Sequence, residues 1–196
     1  MSESDIELLN IEELLEHREN EFSKLVALVT AIFAVILAIS SLGGSEAMKD
    51  TILTQQQASD QWAHYQAKSI RENIYQAQAI LIEAQISAQQ KTMTDDSKAV
   101  YTNLLTTIKK DVNRYKSDKS SIEKEARSLE KERDISRKKN IYFEYGSVLL
   151  QIAIVLSSIS ILAKSRNSFY FAVIIAIIGT ILAMNGFFLV FKIPFM

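Results

Sequence analysis

Cysteine is absent from this chain of 196 residues, and proline occurs once, at Pro194. Without thiols there is no disulfide, no thiolate metal centre and no cysteine nucleophile. One proline and five glycines leave little turn chemistry, which predicts few and long helices. A surplus of either charge is lacking too. The formal net charge is -1, so no global field recruits nucleic acid, and no nucleic-acid partner is expected. No basic region opens the sequence, so no cleavable signal peptide is read there.

Catalytic motifs are also missing. There is no HExxH, no Gly-rich phosphate loop and no nucleophile elbow. His17 and His64 flank the first apolar stretch and are expected on opposite sides of it, where they cannot share a metal. Asp95 and Asp96 read as part of a helix start, not as a carboxylate pair for acid–base work. The expectation is therefore no catalytic residue, no cofactor, no metal and no enzyme.

What the chain does have is three long apolar runs. Residues 24–42 contain LVALVTAIFAVILAISSL, without a charge from Leu25 to Leu42. Residues 141–163 and 169–191 hold two more, and about 18–20 apolar residues suffice to cross a hydrocarbon core. These three stretches are expected to be transmembrane helices. Ala27, Ala31, Ala34 and Ala38 repeat along one side of the first, a spacing that lets helices approach closely in lipid. Gly179, Ala183 and Gly186 offer a similar face in the third. Gln151, Ser157, Ser160, Thr180 and Asn185 read as hydrogen-bonding glue between spans, with the lining of a pathway as the alternative. The short linker from Lys164 to Ser168 makes the last two spans a hairpin.

Residues 1–23 form an acidic tail, partly helical. A helix over residues 5–21 would set Ile6, Leu8, Ile11 and Leu15 near one face, and its acidic side would repel anionic lipid. Gly43-Gly44-Ser45 reads as a hinge where the first span ends, since tandem glycine suits a helix interior poorly.

Residues 43–140 read as a soluble helical-hairpin, coiled-coil arm. Ala63, Ala67, Ile70, Ile74, Ala77, Leu81, Ala84 and Ala88 alternate spacings of four and three, an uninterrupted heptad seam. A second stripe at Tyr75, Ala79, Ile82 and Ile86 suits further apolar cover. Thr94-Asp95-Asp96-Ser97 supplies capping residues for a return helix. That helix carries its own seam through Tyr101, Leu105, Ile108, Val112, Tyr115, Lys119, Ile122, Ala126, Leu129 and Arg133. The two helices are nearly equal in length, roughly 65–70 Å each at about 1.5 Å per residue. With membrane at both ends, an antiparallel hairpin follows. Trp62, Tyr65 and Lys68 share one flank of the first helix. They read as an aromatic plug where the hairpin packs on itself, or as an anchor for a partner.

The stretch Trp62-Ala63-His64-Tyr65-Gln66-Ala67-Lys68-Ser69-Ile70 follows a span and a Gly-rich segment. In that setting it resembles the bacterial membrane proteins grouped as domain of unknown function 4337. The resemblance implies the whole layout: acidic tail, one span, W-x-x-Y-Q-A-K-S segment, charged arm, then two spans with a basic linker. The linker is shorter in basic residues here, and His64 stands where those proteins usually carry an aromatic. No activity comes with the resemblance.

The expected class is thus an all-α membrane protein with three transmembrane helices and a long antiparallel hairpin arm between the first and second. Its expected surroundings are the lipid bilayer of a bacterial inner membrane and either further copies of itself or another membrane or envelope protein. Lys and Arg near the span ends place the N-terminus in the cytoplasm and the arm outside it. The expected role is a non-enzymatic scaffold acting through its arm, with Trp62, Tyr65, Lys68, Tyr75, Ala79, Ile82 and Ile86 as candidate interaction residues. The alternative is a pore-forming or accessory subunit of a transport complex.

Overall fold

A computed structural model describes residues 3–191, with side chains from His17 onward. The described residues form three helices and no strand: α1 (Glu3–Ala88), α2 (Asp95–Leu162) and α3 (Arg166–Phe188). The protein is all-α, and all three helices are long and apolar enough to cross a membrane. The expected tail face of Ile6, Leu8, Ile11 and Leu15 lies outside the described side chains, as do Lys192 and Pro194. The chain divides into two compact units, Met1–Asp50 with Ile135–Met196, and Thr51–Asp134.

The hinge expected at Gly43-Gly44-Ser45 is not there, because α1 runs through it without a break. The glycines serve space instead of a turn. Two helix-interior glycines cost about 1 kcal/mol each relative to alanine, and what offsets that cost is a phenyl ring. A Cβ at Gly43 would sit 2.8 Å from the ring of Phe143 on α2, and one at Gly44 would sit 3.2 Å from its Cβ. Gly186 on α3 completes the seat, with Phe143 carbons 3.0 Å from where its Cβ would be. Phe143 is 3% exposed and meets Phe187 edge-on at 4.7 Å. Gly146 and Gly179 use the same principle between α2 and α3: a Cβ on Gly146 would lie 2.8 Å from the Gly179 carbonyl oxygen.

The first unit buries small and hydroxylated side chains beside a few large apolar ones, and its outside is bulky and apolar. Phe33, Leu150, Ala153 and Ala176 form its core cluster, and Ser40, Ser157 and Ser160 are fully buried. Leu28, Val35, Leu42, Val155, Ile174 and Ile181 point outward, each more than half exposed. The buried side of α1 is Val26, Phe33, Ser40, Gly44 and Ala47, so the stripe Ala27, Ala31, Ala34 and Ala38 is left open. The face of Gly179, Ala183 and Gly186 is buried as a packing surface.

The polar groups of this unit act mainly within their own helices. The Ser160 and Thr180 hydroxyls donate to carbonyls four residues back. Asn185 holds the chain after α3, accepting from the Phe191 N–H at 2.8 Å and donating to its carbonyl at 2.9 Å. The contact between helices comes from Ser40, whose hydroxyl meets Ser147 at 3.0 Å and donates to the Phe143 carbonyl at 3.3 Å. The α2–α3 turn closes tightly: Lys164 adopts φ 49, the Ser165 N–H returns to Ser160, and the Ser165 side chain caps α3 by accepting the Ser168 N–H.

Candidate interaction surface

In the second unit, α1 and α2 meet in opposite chain order. Gln55 accepts from Arg133, Trp62 donates its indole N–H to Glu130 at 3.0 Å, and Lys68 reaches Asp118 at 2.7 Å. Further along, Lys119 pairs with Glu72 and Lys109 with Glu83, each at 2.6 Å, and Gln85 donates to Tyr101. Thr94 starts α2 by accepting the Ser97 N–H, and Asp95 and Asp96 stand in the first turn, where negative charge suits the helix dipole.

The seam expected on α2 is the one that packs. Ile108, Tyr115, Ile122 and Ala126 are buried, and Tyr101, Leu105, Val112, Lys119, Leu129 and Arg133 are half-buried. On α1 the expected assignment is reversed. Ala63, Ala67, Ile70, Ile74, Ala77, Leu81, Ala84 and Ala88 are all exposed, with Leu81 at 68% and Ile70 at 60%. The face against α2 is built from Ala58, Trp62, Tyr65, Glu72, Tyr75, Ala79, Ile82 and Ile86.

The reason lies in what α2 presents. Its seam contains tyrosines and cations, and an aliphatic face would leave their polar atoms unsatisfied. The chosen face satisfies them. Lys119 lies 5.3 Å over the Tyr65 ring, Arg127 lies 5.8 Å over Trp62, and Tyr75 packs on Tyr115 at 5.5 Å. The Glu72 carboxylate holds Lys119 above its ordinary pKa, and the Lys68 ammonium holds the Asp118 carboxyl below its own. Hydrogen bonding to Arg114, then to Arg71, lowers the Tyr115 phenol.

The seven candidate interaction residues all fall on the covered face. Trp62, Tyr65, Lys68, Tyr75, Ala79, Ile82 and Ile86 lie together against α2, each buried or half-buried. His64 is exposed, and no group of described residues is placed to hold a metal ion. The open aliphatic stripe has a second property that sequence alone does not reveal. Between Gln61 and Ala88 the charged residues are Lys68, Arg71, Glu72 and Glu83, and every one engages α2. None of the four lies on the apolar line itself, which Gln66, Asn73, Gln76 and Gln78 flank.

The DUF4337 profile, described as a domain of unknown function, matches residues 22–189, which includes every element of both units apart from the N-terminal end of α1. The chain belongs to this family. Within the DUF4337 match fall the glycine seat of Phe143, the polar–aromatic contact and the open stripe. No match was found among curated proteins or among solved structures.

Proposed function

We propose that the protein is a non-enzymatic scaffold of a bacterial inner membrane, held by three spans and self-associating through a coiled-coil hairpin arm. The observation that carries this reading is the open heptad stripe from Ala63 to Ala88, whose own line of Ala, Ile and Leu contains no charged residue. A regular heptad line of Ala, Ile and Leu is self-complementary, and flanks of Gln and Asn put no like charges together when two copies meet. A second copy is thus the occupant that the chemistry suits. The stripe is about 38 Å long at about 1.5 Å per residue, close to four heptads. The open alanines at 27, 31, 34 and 38 offer small-residue packing of the kind that brings helices together in lipid.

The membrane part of the reading is supported by the first unit's distribution of side chains. Small and hydroxylated groups share its interior with Val26, Phe33, Phe143 and Leu150, while many more leucines, isoleucines, valines and phenylalanines cover its exterior, an exposure that costs about 25 cal/mol per Å² in water and nothing in hydrocarbon. Support for the orientation comes from Lys164, which pairs with Glu19, and from Arg166, which lies over Phe22. The basic groups at the start of α1's apolar stretch and in the α2–α3 turn thus share one end of the unit. Lys and Arg at short loops favour the cytoplasm, which puts the arm outside.

Sizing by mass photometry in nanodiscs tests this. Particles of two or more chains are expected, reverting to one chain when Ile74 and Leu81 are both changed to Asp. A monomeric native particle with no companion protein contradicts the scaffold reading. The transport alternative is checked by ion flux through purified protein in liposomes, where no flux above empty vesicles is expected.

A further inference from the structure

At the end of the first unit where α1 passes the α2–α3 turn, Arg18, Phe22, Ile161, Lys164 and Arg166 line a cavity of about 480 Å³. An adjoining cavity of about 740 Å³ shares Arg18, Phe22 and Arg166, and its lining sets an apolar side of Leu25, Leu28, Phe169 and Tyr170 beside His17, Glu21 and Lys24. Phe22 is the partition between them. Its ring meets Phe169 edge-on at 5.9 Å, and the Arg166 guanidinium lies 5.8 Å above it.

Among the described residues the charges here are not balanced. Glu19 is held by Lys164, and Glu21 is held by Lys24 at 3.2 Å, so both nearby acids already have cations. The repulsion of anionic lipid expected from this part of the tail is offset at these two positions. Arg18 and Arg166 have no carboxylate partner among the described residues, although both border both cavities. A guanidinium is a planar fork that bonds phosphate oxygens in pairs, and two of them beside an apolar trough match a group that is anionic at one end and hydrocarbon at the other.

We propose that this recess binds a phosphate ester, namely the headgroup phosphate of an anionic phospholipid. Arg18 and Arg166 take the phosphate, and Leu25, Leu28, Phe169 and Tyr170 take the glycerol end of the acyl chains. The lipid source rests on the membrane reading above, whereas the phosphate chemistry does not. In the orientation proposed, the site faces the cytoplasmic leaflet, where anionic lipids are the abundant negative surface.

Native mass spectrometry of the full chain in detergent, titrated with phosphatidylglycerol or phosphatidylcholine, tests the site. About tenfold or greater preference for phosphatidylglycerol is expected, falling to parity in Arg18→Gln/Arg166→Gln. It should persist in Lys116→Gln/Lys124→Gln, which lowers basic charge in the other unit. Glu19→Gln, which releases Lys164, is expected to strengthen retention and guards against a trivial loss of folding. A parallel titration with inorganic phosphate separates the sources. Displacement of bound lipid only at high phosphate supports the lipid headgroup, and arginine-dependent phosphate binding without lipid preference overturns that assignment in favour of a soluble phosphate ester. Equal retention of both lipids with no phosphate binding, or preference unchanged in the double arginine variant, overturns the site. Carbonate extraction of the protein from membranes is a separate readout: release would defeat the membrane reading while leaving the phosphate result intact.

Discussion

The two faces of α1 between Ala58 and Ala88 are made of opposite materials, and the more apolar of them is the open one. The covered face offers Trp62, Tyr65, Glu72 and Tyr75 to α2, and the open face offers Ile70, Ile74 and Leu81 to its surroundings. Hydrophobicity therefore does not decide which side of this helix is buried within the chain. The partner's chemistry does: α2 carries Tyr115, Lys119 and Arg127 toward the contact, and these need rings and carboxylates. The aliphatic face of α1 is left open.

The largest effects should come from the covered side. Ile122→Ala, at a site 7% exposed, is expected to cost about 2–4 kcal/mol, read as an earlier loss of helix on heating. Gly43→Val should come next, about 1–3 kcal/mol, because its side chain would enter the space held by the Phe143 ring. Its stability is measured against Ala38→Val on the open side, which is expected to change little. Equal effects of the two valines would dissolve the distinction between the faces.

Removal of the Glu72 carboxylate by Glu72→Gln leaves Lys119 half-buried without its counter-ion and is expected to cost about 1–3 kcal/mol. The double variant Glu72→Gln/Lys119→Met should recover part of that loss, since paired removal spares the stranded charge. Thermal unfolding of the three variants provides the comparison. On the open side, Ile74→Ser and Leu81→Ser should each shift monomer stability by under about 0.5 kcal/mol, while lowering the yield of assembled particles. A loss of helix as large as that of Ile122→Ala would mean that the open stripe is buried within the chain after all.

The smallest effect is the dependence on pH. Asp118 titrates lower in the folded chain, so its pairing with Lys68 contributes above the unfolded carboxyl value of about 3.9 and is lost as pH falls through the depressed value. Lys119 titrates higher, so its pairing with Glu72 contributes below about 10.4 and is lost as pH rises through the raised value. The covered face is at full strength between those limits. Fluorescence of Trp62, the single tryptophan, reports both edges, and Lys68→Met should remove the acid one.

Much of this was legible in the residues. Three apolar runs, the α2 seam from Tyr101 to Arg133, the start at Thr94 and the tight turn at Lys164 follow from spacing and capping chemistry that act locally. The seam of α1 was not, because Ala63 to Ala88 satisfies the heptad rule better than the mixed line that does the packing. That line contains Glu72 and Lys68, which count against burial until their partners Lys119 and Asp118 are known. Gly43-Gly44 was misleading for a similar reason. Its meaning depends on Phe143, about a hundred positions away, and no local rule connects a glycine pair to a distant ring. That Arg18 and Arg166 have no carboxylate partner among the described residues likewise follows only from seeing which lysines hold Glu19 and Glu21.

In the scaffold proposed, the open stripe of α1 meets the same stripe of a second copy. Disulfide trapping reads it directly, because the native chain has no cysteine to confuse the result. In that proposed scaffold, two copies share one membrane and one direction of α1, so equivalent residues should face each other. Ile70→Cys, Ala77→Cys and Leu81→Cys, each alone, are predicted to give a crosslinked dimer on mild oxidation, while Lys116→Cys on the exposed side of α2 gives none. Crosslinking no greater at the three stripe positions than at Lys116 would contradict that pairing.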